Sequence, residues 1–288
     1  LGSYDNVYTW NYCHSLKRLD IENWDVSNWN VNTLYCTWRY CKSLKVLDLS
    51  KWDTSNWEVT TLGYTWQGCN SLIELKIDDW DVSKWHVTNL AATFANLYCI
   101  KELKLNKWNT TNWEIANFSS TFSSCLSLEV LEIGEWDTSN WTVTSIESLF
   151  SYNHCLKELD LSEWDTNNWA VTTIRNCWLE CFSLEKLNIN DWDTSNWAVT
   201  NMYYTWNSCT ALEELNISSW NTSNWAVTNT QSMFGSMTNL VTLLTPVSFN
   251  ASTSNSTGFI GYNYRLVNFS GFEIKENFNI NGTYALTD

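Results

Sequence analysis

Eight tryptophans, Trp24, Trp52, Trp80, Trp108, Trp136, Trp164, Trp192 and Trp220, follow one another every 28 residues without a slip, and a second Trp follows each by five positions, from Trp29 to Trp225. A period held without insertion marks a solenoid, in which each repeat forms one rung and equivalent residues stack into columns. At about 4.8 Å per rung the eight rungs extend about 40 Å. Function in such a chain belongs to columns rather than to single residues.

One rung, read from Trp136, is WDTSNWTVTSIESLFSYNHCLKELDLSEW. Its first part is a turn built from Asp, Thr, Ser and Asn, whose side chains bond nearby backbone groups and replace the usual turn residues. The whole chain has only nine Gly and one Pro. The second part carries Leu34, Trp38 and Cys41, or Leu62, Trp66 and Cys69, or Ile146, Leu149 and Phe150. Spacings of three and four predict a short helix with these residues on one face. The third part alternates apolar residues, as in Leu44, Leu47 and Leu49 or Leu72, Leu75 and Ile77, which predicts a short strand.

The LxxLxL strand followed by a turn resembles leucine-rich repeats, and the combination (W/F)xxCxSLxxLxL…WDTSN is similar to the BspA-like class of bacterial surface proteins. The resemblance spans residues 8–244, with an echo of that class's closing segment at 272–288. It implies an α/β leucine-rich-repeat solenoid, a parallel β-sheet on one face and short helices on the opposite face, displayed at a cell surface for adhesion. One departure is the Trp29 column, which stands before the Val column of Val31, Val59 and Val87 and lengthens the rung. The expected organisation is a solenoid over 1–244, a partial first rung plus eight full ones. Residues 245–288, where the register dissolves beside Pro246, form a degenerate rung or C-terminal cap.

Acidic residues number 31 and basic ones 16, a net charge of −15 that repels nucleic acid and anionic membranes. No apolar run approaches the roughly 20 residues of a membrane-spanning helix, and no signal peptide is visible. The chain opens at Leu1 inside a repeat, which reads as a boundary made by processing or expression. No polar cap is evident there. A head-to-tail filament, with the last rung of one copy pairing with the first rung of the next, is therefore a second structural reading.

Cys13, Cys41, Cys69, Cys125, Cys181 and Cys209 share one column, while Cys99 and Cys155 lie two positions later in their rungs. The spacing of neighbouring rungs allows disulfides joining Cys13 to Cys41, Cys69 to Cys99, Cys125 to Cys155 and Cys181 to Cys209. A buried thiol ladder is the alternative. The first Trp column, and the aromatic column from Trp10 through Trp38, Trp66, Phe94, Phe122 and Phe150 to Phe234, read as core. The second Trp column is expected in the core by alternation with Val. If exposed, Trp57, Trp85, Trp113, Trp141, Trp169 and Trp197 would form a strip for stacking polysaccharide, the carbohydrate-binding reading.

Asp25, Asp53, Asp81, Asp137, Asp165 and Asp193 form an acidic column completed by Asn109 and Asn221. Because Asn keeps the acceptor oxygen and loses the charge, the shared role is backbone capping, with a calcium ladder as the alternative. The expected ligand face is the outward side of the strands: Asp48, Glu74, Lys76, Glu102, Lys104, Glu132, Glu158, Asp160 and Glu214. It suits a protein or glycan partner at a cell surface, or another copy of the chain. His14, His86 and His154 assemble no catalytic or metal-binding set with their neighbours, so neither catalysis, resident metal nor cofactor is expected. Eight Asn-x-Ser/Thr sequons, from Asn109 to Asn281, match what a chain rich in Asn, Ser and Thr gives by chance.

Overall fold

The computed structural model describes residues 8–246 in full, together with the backbone of strands 265–268 and 283–287. Each rung contributes one three-residue strand: β1 (Val46–Asp48), β2 (Glu74–Lys76), β3 (Glu102–Lys104), β4 (Val130–Glu132), β5 (Glu158–Asp160), β6 (Lys186–Asn188), β7 (Glu214–Asn216) and β8 (Thr242–Leu244). Two further strands, β9 (Arg265–Asn268) and β10 (Thr283–Thr287), follow. The regular strands are parallel, and Leu47 faces Leu75 as Leu103 faces Leu131. They pair two by two, β1 with β2, β3 with β4, β5 with β6 and β7 with β8. β10 then runs antiparallel beside β8, occupying its far edge.

The short helices expected opposite the sheet are not there. Among the described residues no helix occurs, so the fold is a parallel β-solenoid rather than an α/β one. The segments 34–41 and 62–69 are instead tandem four-residue turns. Thr37 N–H donates to Leu34 O at 3.1 Å and Cys41 N–H to Trp38 O at 3.1 Å, closing two turns in one rung. The alternate N–H groups point along the axis: Leu34, Cys36, Trp38 and Tyr40 donate to Thr61, Gly63, Thr65 and Gln67 of the next rung at 2.7–3.2 Å. Those donors would close the i→i−4 ladder of a helix. Spent between rungs, they build a sheet-like stack of turns.

Helix and turn stack look alike in sequence because both repeat near four residues. The left-handed position of each turn recurs four residues apart, at Cys36 and Tyr40, Tyr64 and Gly68, Ala92 and Asn96, Ser120 and Ser124. Only Gly68 among these is the residue such a backbone favours. Non-glycine residues held at positive φ cost on the order of 1–3 kcal/mol each, and the hydrogen bonds between rungs offset that cost. Buried Thr hydroxyls join the same network: Thr93 Oγ1 donates to Leu90 O at 2.7 Å and to Leu62 O, one rung back, at 2.9 Å.

A third ladder runs between turn and stack, with Glu58 N–H donating to Val31 O at 3.0 Å and Thr60 N–H to Asn32 O at 2.9 Å. Its bridges form two runs, Thr61 to Asn117 and Ser145 to Asn229. At the junction stands Phe118, where other rungs carry Leu, Ile, Met or, at 230, Thr, its ring edge-on to Trp141 at 5.2 Å.

Inside lie the aromatic columns. The first Trp column is buried from Trp52 onward, and each indole donates to the carbonyl 31 residues back: Trp52 to Ile21, Trp80 to Leu49, Trp108 to Ile77, Trp136 to Leu105, Trp164 to Ile133, Trp192 to Leu161 and Trp220 to Ile189, at 2.9–3.1 Å. The bonds to Ile77, Ile133 and Ile189 span the junctions where the strands do not pair. The second Trp column interleaves with the first. From Trp24 to Trp225 every successive pair of indoles, taken alternately from the two columns, lies 5.8–6.3 Å apart and tilted by 50–64°. This herringbone sets the positive rim of one ring toward the negative face of the next, worth about 0.5–1.5 kcal/mol per pair beyond burial. The buried N–H groups of Trp57, Trp85, Trp113, Trp141, Trp169 and Trp197 have no hydrogen-bond acceptor among the described residues, and neither do those of Trp38, Trp66, Trp178 and Trp206 in the third column. The third column stacks face to face, as in Trp38 on Trp66 at 5.9 Å and Phe94 on Phe122 at 5.4 Å.

These roles predict unequal costs for the same chemical change. Trp136→Phe removes one of two hydrogen bonds to the Leu105 carbonyl, which keeps the Trp108 N–H at 3.0 Å, and should cost about 0.5–1.5 kcal/mol beyond the lost area. Trp178→Phe, in a column that uses Phe at 94, 122 and 150, should cost less. Urea denaturation of both variants checks the order, and equal losses would refute the role given to the indole N–H.

Candidate functional site

The first and third residues of each strand point outward and the middle Leu points into the core, because successive strand residues face opposite ways. That alternation brings Asp48, Glu74, Lys76, Glu102, Lys104, Glu132, Glu158, Asp160 and Glu214 onto one face, all partly or fully exposed. Its lysines are engaged with carboxylates on the same or the adjoining strand: Lys76 with Asp48 at 2.7 Å and Glu74 at 3.4 Å, Lys104 with Glu102 at 2.5 Å, Lys186 with Glu158 at 2.6 Å. Among the described residues no cation lies within ion-pair distance of Glu132, Asp160 or Glu214, so negative charge is left over toward the C-terminal rungs. Such exposed pairs contribute about 0–1 kcal/mol each, and a ligand can exchange them at little cost.

Two clefts of about 500 Å³ open on this face, one lined by β2 and β3 with Lys76 and Glu102, the other by β6 and β7 with Asn188 and Glu214. Both fall at junctions where neighbouring strands do not pair. The sequence reading missed these clefts. Every rung carries the same strand motif, and nothing in the motif marks which neighbours pair.

The polysaccharide strip is overturned. Trp57, Trp85, Trp113, Trp141, Trp169 and Trp197 are all 0% exposed, packed against the first Trp column. The acidic column caps turns: Asp25 Oδ1 accepts from Ser27 N–H at 3.1 Å, and Asn109 and Asn221 accept from Thr111 and Ser223 N–H at 3.2 and 3.1 Å. Hydrogen bonds from Ser27 hold the Asp25 carboxyl below its usual range. Among the described residues no three His, Cys, Asp or Glu side chains are placed to hold a metal ion. No helix among them is long and apolar enough to cross a membrane.

All ten cysteines are free thiols. Cys41, Cys69, Cys125, Cys181 and Cys209 each donate to the carbonyl 31 residues back at 3.1–3.2 Å, the same step the indoles take. Asn153 fills that place in its own rung, donating to Phe122 O at 3.1 Å. Cys99 and Cys155 are exposed whereas Cys69 and Cys125 are buried, so the bridges Cys69 to Cys99 and Cys125 to Cys155 do not form. Burial pushes the Cys125 thiol up to about 12, which keeps it protonated and inert. Cys13 pairs with Cys41, and Cys181 with Cys209, only as neighbours in the ladder.

The geometry defines a repeat scaffold of the parallel β-solenoid class. The chain belongs to the family described as Mycoplasma protein of unknown function, DUF285, whose profile matches residues 7–114, 60–169, 88–195 and 144–263. No curated protein matches the sequence significantly. Among solved structures it is similar to a leucine-rich repeat protein from Bacteroides ovatus, with 14% identity over 78% of this chain and 70% of that one and a TM-score of 0.36. A Leptospira interrogans leucine-rich-repeat protein gives 12% identity, coverage of 79% and 67%, and a TM-score of 0.28. A Listeria monocytogenes internalin gives 13% identity, coverage of 83% and 86%, and a TM-score of 0.22.

Two predictions follow from exposure and charge. Iodoacetamide applied to the native protein should alkylate Cys99 and Cys155 and spare Cys69 and Cys125; mass spectrometry showing disulfide-linked peptides instead would contradict the ladder. Burial raises the pKa of Asp48, and hydrogen bonds from Lys76 and Ser50 outweigh it, holding the carboxyl at about 2, below its ordinary 3.8. Its contribution to stability is therefore present above pH 3.8 and is lost as pH falls toward 2. In Lys76→Met, carboxyl NMR titration should find Asp48 shifted upward.

Proposed function

We propose that the protein is a non-catalytic, extracellular scaffold of the BspA-like leucine-rich type that adheres to a protein at a cell surface through its strand face. The observation that carries this reading is the face itself: outward side chains in register over successive rungs, exchangeable ion pairs, and two clefts on one side. Rigid repeat arrays use such extended surfaces for binding. The residues assigned to contact are Asp48, Glu74, Lys76, Glu102, Lys104, Glu132, Glu158, Asp160 and Glu214, and the surplus carboxylates favour a partner with a basic surface. Filament growth by strand addition gains no support at β8, whose far edge β10 occupies.

The test is adhesion of protein-coated beads to immobilised extracellular-matrix and cell-surface proteins. A variant combining Glu132→Lys, Asp160→Lys and Glu214→Lys should abolish the adhesion shown by the wild type, while its near-UV circular dichroism stays unchanged. Adhesion unaffected by this reversal would assign binding to another surface.

A further inference from the structure

The turn stack of the first three rungs gathers cations and tyrosines on one surface. Segments 8–15, 35–43 and 63–71 contain no Asp or Glu in a chain of net charge −15, and they hold Arg39, Lys42 and five tyrosines. The Arg39 guanidinium lies 4.8 Å from the ring centre of Tyr40, 5.1 Å from Tyr64 and 6.0 Å from Tyr12. Its Nε donates to Gln67 Oε1 at 2.6 Å, which fixes the plane of the fork. Lys42 Nζ sits 5.7 Å from the Tyr40 ring. The rings also brace one another: Tyr12 lies 5.0 Å from Tyr40, and Tyr35 meets Tyr64 edge-on at 5.7 Å.

The neighbouring rung is cut to seat these rings. A Cβ at Gly68 would fall 2.3 Å from Tyr40 Cδ1, so a side chain there would displace the ring. Two of the nine glycines of the chain, Gly63 and Gly68, stand in this one rung. Beyond Tyr64 and Gln67 the surface drops into a groove of about 370 Å³, lined by Asn96, Asn117, Ser119 and Ser123 over a floor of alanines. Its volume is within the range of about 300–1,000 Å³ typical of small-ligand sites.

We propose that this platform and groove bind an anionic saccharide. A sugar carboxylate or sulfate meets Arg39 and Lys42, a pyranose ring lies on the tyrosine faces, and hydroxyl groups find the amides and hydroxyls of the groove. Arg held against aromatic faces is the fixed, bidentate partner that such anions take. A single-stranded nucleic acid needs a basic groove that follows its backbone, whereas the cations here are confined to one spot on an acidic molecule. An acidic peptide would leave the ring platform unused. The site is on the turn side of the rungs, so it stands independently of the strand face.

Isothermal titration with 3′-sialyllactose and 3′-sulfolactose separates carboxylate from sulfate, with neutral lactose, an oligothymidylate and polyglutamate as the contrasting ligands. At least one acidic trisaccharide or disaccharide should bind, more tightly than lactose. Arg39→Gln and Tyr64→Ala should each weaken it about tenfold or more. Arg39→Lys, which keeps the charge and loses the planar fork, should fall between. Gly68→Ala should weaken binding although it removes no ring or charge, and Asp48→Asn on the strand face should leave it unchanged. The proposal is overturned if neither acidic sugar binds, if lactose binds equally, if Arg39→Gln and Tyr64→Ala bind as the wild type does, or if oligothymidylate or polyglutamate binds more tightly.

Discussion

A single step, repeated, holds this molecule together: a side-chain donor on one rung reaches a backbone carbonyl 31 residues earlier. The first-column indoles take that step, and the thiols and Thr hydroxyls of the turn stack take it as well. Each bond adds a second donor to a carbonyl that already closes its own turn, as Ile77 does with Trp80 N–H, and contributes about 0.5–1.5 kcal/mol. The geometry of the step also fixes the register between rungs, because a shift of one residue would break every one of these side-chain bonds along the axis at once. Strands contribute less to cohesion than the sheet face suggests. They are three residues long and pair two by two, and the indole bonds carry continuity across the junctions.

The aromatic herringbone and the carbonyl ladder divide the work between the two Trp columns. The first column supplies polar fixation, and the second fills volume between first-column rings, its own N–H groups without acceptors among the described residues. A third column needs only flatness, which is why Trp and Phe alternate freely in it. With the core assigned in this way, the faces are released to vary. The strand face became acidic and ion-paired, while part of the turn face became aromatic and cationic.

Much of this was legible in the sequence. The 28-residue period fixes the solenoid, the alternation around Leu47 and Leu75 fixes the strands, and the exchange of Asp for Asn at 109 and 221 identifies capping rather than charge as the role of that column. The turn stack was not legible, because Leu34, Trp38 and Cys41 are spaced as a helix would space them; the distinction lies in where the backbone N–H groups go, which side-chain pattern does not record. The state of the cysteines was left open for a similar reason, since rung spacing permits a disulfide and a thiol-to-carbonyl bond alike. Of the strand face, the residues could be named from alternation, but the clefts depend on which strands pair. The tyrosine platform did leave a signal, two glycines in one rung beside Arg39, Lys42 and five tyrosines.

The central claim is that equivalent indoles stack in two chemically distinct columns, one hydrogen-bonded and one packed against ring faces. Proton–nitrogen NMR of the protein labelled with 15N-tryptophan tests it directly through the indole N–H signals. The account predicts that both columns resist exchange with heavy water, with the Trp52 to Trp220 signals shifted downfield by their carbonyl acceptors and the Trp57 to Trp197 signals shifted upfield by the neighbouring rings. Rapid exchange of the indoles, or a single undivided group of shifts, would contradict it.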